Sequence, residues 1–150
     1  MATYYSGSVS DIQTVLRTLG VGSGSLDDLD TTDVQASQRD IDQRIDGALS
    51  NLYYVPISQV IRGGVTKFPP PLPELSRRLV ASDLIINTLT DVSANITSTA
   101  EVMAKESKRD LFNLVNGVTG ANRLDGQIKK TRNHFMPPNI APAAEPMQMI

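Results

Sequence analysis

The run Phe68-Pro69-Pro70-Pro71-Leu72-Pro73 constrains this chain more than any other, because it separates two apolar, periodic stretches. Proline fixes φ and lacks an amide hydrogen, so helix cannot begin before the last of these prolines. Pro73 suits a first helical turn, and Glu74 is favourable beside the positive end of a helix. Upstream, Val34, Ile41, Ile45, Ala48, Leu49 and Leu52 are spaced seven, four, three, one and three residues apart. That spacing puts one stripe on a helix of about 3.6 residues per turn. Tyr53-Tyr54-Val55-Pro56 ends the stripe, since Pro56 biases Val55 away from the helical region. Downstream, Leu75, Leu79, Leu84, Ile86 and Leu89 predict a second helix. Two helices of roughly five turns, pinned at a stiff polyproline corner, form a frame over Thr32 to Leu89.

Between the two helices, residues 57–62 and 65–68 read as a hairpin closed by Gly63-Gly64. A Gly-Gly pair supplies the positive φ angles that two-residue hairpin turns need. An isolated hairpin is marginal in water, so this one must lie on the helices, on a neighbouring subunit or on another protein. The N-terminal part predicts a short helix capped by Ser8 or Ser10, with Ile12, Val15, Leu16 and Leu19 on one side and Gly20 at its end. Residues 21–25 read as a linker and 26–30 as a loop able to form one helical turn, with Thr31 or Thr32 capping the first long helix. Gly47, inside that helix, suggests close packing of a neighbouring element. A last helix carries Ala100, Met103, Leu111, Leu114 and Val115, capped by one of Thr97, Ser98 and Thr99 and stopped at Asn116-Gly117.

These elements predict an all-α protein. It is a small helical bundle, residues 1–126, with a short β-hairpin (57–68) between the two long helices and an extended C-terminal tail, residues 127–150. The expected core is Leu16, Ile41, Ile45, Leu49, Leu52, Leu75, Leu79, Ile86, Leu111 and Leu114. One hundred and fifty residues suffice for one domain. In the tail, Lys129, Lys130 and Arg132 are followed by Phe135, Met136, Ile140, Met147, Met149 and Ile150, interspersed with prolines at 137, 138, 142 and 146. The prolines hold such a segment extended, and its Phe, Met and Ile side chains are apolar anchors for an irregular groove.

Composition narrows the chemistry. There is no Cys, hence no disulfide, thiolate metal site or Cys nucleophile. The single His134 lies in the tail, so neither a Ser/His/Asp constellation on a rigid scaffold nor a histidine-bearing metal cluster is expected. Asp42 and Asp46 share a helix face, as surface carboxylates often do, and no concave pocket with convergent polar groups is foreseen. The reading is therefore a non-enzyme without a cofactor. Neither a signal peptide nor a membrane span is expected. Net charge is −2 and unevenly spread: residues 1–60 hold eight acids against three arginines, and the remainder is positive. Opposite charge at the two ends suits head-to-tail association of identical subunits.

The order of features also resembles a known family. A short helix begins just after a Tyr. An acidic loop leads into Ala-Ser-x-x-Asp-Ile-Asp-x-x-Ile-Asp-x-x-Leu, residues 36–49, then Tyr54-Val55-Pro56, a Pro-Pro stretch and a second apolar helix. Over roughly Tyr4 to Val118 this resembles the small head–tail connector, or adaptor, proteins of tailed bacteriophages. The resemblance implies a virion protein forming a ring of about twelve copies beneath the portal protein. Such a ring extends the DNA channel, lets DNA pass without specific binding, and offers a docking surface to a tail-side stopper or tail-terminator protein. On that reading the tail residues Lys129, Lys130, Arg132, Phe135, Met136, Ile140, Met147, Met149 and Ile150 meet the portal or a neighbouring subunit. Asp42, Asp46, Arg62, Gly63, Gly64 and Lys67 make inter-subunit or tail-side contacts. The alternative is a free-standing helical interaction or regulatory module.

Overall fold

The computed structural model describes residues 3–116 together with Leu124 and Gln127. Its first helix, α1 (Val9–Thr18), starts at Ser8, whose side chain accepts from the Asp11 amide while the Asp11 carboxylate accepts from the Ser8 amide. This reciprocal capping box satisfies two end groups of the helix at once. Gly7, at φ +88°, is required just before it, because a Cβ there would collide with the Asp11 carboxylate. Gly20 follows the helix at φ +99°. The predicted linker is partly helical: α2 (Ser23–Asp27) is a single turn that buries Leu26. Asp30, rather than either threonine, caps α3 (Thr31–Leu49) by accepting from the Thr32 amide.

The hairpin is shorter than predicted. It pairs β1 (Val60–Arg62) with β2 (Val65–Lys67) antiparallel, Arg62 opposite Val65. Gly63 and Gly64 have φ +56° and +78°, the two positive values of a tight two-residue turn. Helix α4 (Leu72–Asp83) begins one residue earlier than expected, before the last proline, because Pro73 in its first turn lacks only an amide that no helical carbonyl would have accepted. It runs into a wider π turn, Leu84–Thr88, closed by a bond of 2.7 Å from the Leu89 amide to the Leu84 carbonyl. Helix α5 (Ala94–Asn116) starts several residues before the predicted cap. The Ser93 hydroxyl accepts from the Ile96 amide, while Thr97 and Thr99 bond back to carbonyls one turn earlier, as residues inside a helix do.

Helix α4 is the centre of the bundle, packed by α1, α3 and α5. It buries Leu72, Leu75, Leu79, Val80 and Ala81, so it is covered on most of its surface. Helix α5 packs on it and buries Ala100, Ser107 and Leu114, seven residues apart. Ser107 fills the gap that the apolar stripe leaves between Met103 and Leu111. Of the expected core, Leu16, Ile41, Ile45, Leu49, Leu75, Leu79 and Leu114 are buried; Leu52 and Leu111 are half-buried. Ile86 is 41% exposed, because the π turn breaks the 3.6-residue register and buries Leu84 and Ile85 instead. Among the described residues, nothing packs on Gly47: a Cβ there would meet open space. The tail from residue 128 onward, Gly117 and the turn at residues 125–126 lie outside the described residues.

Candidate functional site

Residues 3–8 precede the first helix and hold the bundle together at one end. Gln38, Asp42 and Asp46 recur every four residues on α3, beside its apolar stripe, and all three bond to this segment. Gln38 Nε2 donates to Ser6 Oγ at 2.8 Å and to the Gly7 carbonyl at 2.9 Å. Asp42 accepts from the Tyr5 amide at 3.1 Å and, more weakly, from Ser76 Oγ at 3.4 Å. Asp46 accepts from the Tyr5 hydroxyl, which in turn accepts from the Ile57 amide at 2.8 Å. From α4, Arg77 Nε donates to the Ser6 carbonyl at 2.9 Å. The Tyr5 ring meets Phe68 edge-on, with centroids 4.9 Å apart. Tyr5, only 4% exposed, thus joins α3, the base of the hairpin and the start of the chain.

A cleft of about 420 Å³ opens beside this junction, lined by Tyr5, Arg39, Asp42, Asp46, Ile57, Gln59 and Phe68 among others. The sequence reading foresaw no such concavity, because its walls come from three distant stretches of chain. Burial pushes the Asp42 carboxyl up to about 6, aided by the charge of Asp46 and opposed by the Tyr5 amide and the Ser76 hydroxyl. Burial also raises Asp46, against the bond from Tyr5. Burial and the neighbouring carboxylates push the Tyr5 phenol up, so it stays a neutral donor. Among the described residues, the ion pairs are Arg44–Asp40, Arg78–Glu74 and Arg78–Asp110, and none involves Asp42 or Asp46. The cleft is therefore an apolar hollow with a negative, partly desolvated floor. Its chemistry suits a cationic side chain on an apolar segment.

The predicted contact residues fall into three places. Asp42 and Asp46 come together in the cleft, where both are engaged within the chain. Reversing them to Lys therefore strikes the fold as well as any outer contact. Arg62, Gly63, Gly64 and Lys67 are exposed at the hairpin, outside the lining of the cleft. Lys129, Lys130, Arg132, Phe135, Met136, Ile140, Met147, Met149 and Ile150 lie outside the described residues. Tyr5 itself was missed as a functional residue. The recurrence of polar residues at 38, 42 and 46 was the only sequence signal for its seat.

Among the described residues, no group of three or more His, Asp or Glu is placed to hold a metal ion. Among the described residues, none of the helices is long and apolar enough to cross a membrane. No family model, curated protein or solved structure matches the chain. Fold and cleft therefore define a class, an all-α protein with a short hairpin and an acidic cleft, and go no further.

Proposed function

We propose that this protein is a structural head–tail connector of a tailed phage virion, forming a ring beneath the portal and docking the tail-side proteins. One observation carries the reading: the hairpin has no core of its own. Ile61 and Val65, on opposite faces of the ribbon, are 75% and 58% exposed. Three residue pairs with both faces in solvent are too few to hold by themselves, so a second surface suits them. A neighbouring subunit in a ring supplies such a surface. The order of helices and prolines that resembles the connector family points the same way, as does the acidic first half of the chain.

In the assembled neck the Pro- and Met-rich tail is the arm that reaches the portal or the next subunit. DNA slides through the ring without sequence-specific contact. Ending the chain after Asn133 tests this directly in particle assembly. A connector arm predicts a folded, helical protein and filled heads that lack tails. Normal particles would overturn the reading.

The second reading, a free-standing helical interaction module, draws on the acidic cleft, which can take a cationic segment without any ring. Co-purification separates the two: a connector remains with purified virions, and a free module does not.

A further inference from the structure

We propose that the cleft beside Tyr5 is the seat of the chain's own basic segment, residues 129–135, with Lys129 or Lys130 against the Asp42 and Asp46 carboxylates and Phe135 against the apolar wall. The route of the chain argues for this. Leu124 is fully buried, and its amide donates to the Tyr53 hydroxyl at 3.1 Å. Three residues on, the Gln127 side chain grips Ser58 twice: Oε1 accepts from the Ser58 amide at 3.2 Å and Nε2 donates to its carbonyl at 2.8 Å. The residues on either side of Ser58, Ile57 and Gln59, are both walls of the cleft. Ile57 is tied through the Tyr5 hydroxyl to Asp46. At Gln127 the chain thus stands one residue from the cleft. Two or three further residues span about 7–10 Å when extended, and a lysine stem lengthens the reach.

Charge points to the same occupant. The floor holds two half-buried carboxylates that pair with no described cation, and Arg39 is the one cationic side chain in the lining. Among the described residues, the pair's direct neighbours from other elements are neutral: Tyr5 from the N-terminal segment, Ser76 from α4, and Ile57, Gln59 and Phe68 from the hairpin base; the Arg77 guanidinium of α4 is engaged by the Ser6 carbonyl. The segment leaving Gln127 brings Lys129, Lys130 and Arg132 within five residues, and then an aromatic ring. Pro56, Ile57 and Phe68 offer that ring an apolar surface. Because Gln127 is already anchored, docking within one chain has an effective concentration in the millimolar range, well above that of a second copy in dilute solution. The inference does not depend on the connector reading. Under it, seating residues 129–135 aims the remaining Pro- and Met-rich arm from a fixed point.

The full-length protein and a full-length variant with Lys129→Glu, Lys130→Glu and Arg132→Glu test this by NMR. Expected are shifts confined to Tyr5, Asp42, Gln43, Asp46, Ile57 and Gln59, with the Asp42 titration midpoint higher in the variant. Identical cleft signals in the two proteins would overturn the proposal. A chain ended after Gln127 keeps every contact described above and should reproduce the variant's spectrum; wild-type cleft signals there would also overturn it. Wild-type shifts that persist on dilution place the segment on its own chain. Shifts that fade on dilution assign it to a second copy and contradict the intramolecular seat.

Discussion

Tyr5 ties together three stretches of chain that are distant in sequence. Its hydroxyl sits between a buried amide and a carboxylate, and its own amide holds a second carboxylate. Tyr5→Phe keeps the ring against Phe68 but leaves the Ile57 amide without its acceptor. A buried donor left unsatisfied costs about 1–3 kcal/mol. Urea unfolding should show a loss in that range, and a loss near zero would mean that water replaces the hydroxyl. Asp42 sets a pH dependence whose sign follows from its raised pKa. The folded state binds the proton more tightly than the unfolded chain. Its contribution is therefore fully present below the ordinary carboxylate range and is lost as pH rises through about 6. In the chain ended after Gln127, whose cleft holds no seated lysine, stability relative to Asp42→Asn should fall over this window, by roughly 1 kcal/mol after discounting for solvent screening of a half-buried group. A difference that stays flat with pH would contradict this. None of this was legible locally: Asp42 and Asp46 could be seen to share a face, but their partner lies 37 and 41 residues away.

At the scale of elements, periodicity served well where a helix buries one side and poorly where it is covered on most of its surface. The stripe on α3 read correctly because only one side of that helix is buried. Helix α4 is covered by three partners, so Val80 and Ala81 are buried although the predicted stripe does not include them. The π turn then moved Ile86 out of the core, a change that no residue spacing announces. Hairpin placement and turn chemistry were legible because Gly63-Gly64 permits few alternatives. Gly47 offers the cleanest test of the local account. Its position is helical and open, with nothing among the described residues packed on it. Gly47→Ala should stabilise the protein by about 0.5–1 kcal/mol, raising its unfolding midpoint in a thermal or urea titration. Destabilisation would mean that something outside the described residues packs there.

For the whole molecule, the all-α frame was legible from apolar spacing and prolines, while the cleft was not, because it forms only when residues 3–8, α3 and the hairpin base meet. The connector proposal joins the exposed hairpin, the acidic cleft and the basic tail into one assembly. In that proposal, neighbouring subunits would cover the ribbon and the tail arm would hold the ring to the portal. The most direct test is an averaged cryo-electron microscopy image of the neck of intact particles containing this protein. The account predicts a closed ring of copies between portal and tail, with each hairpin against an adjacent subunit and the DNA channel running through its centre. A neck without this chain would contradict it, as would copies whose hairpins all face solvent.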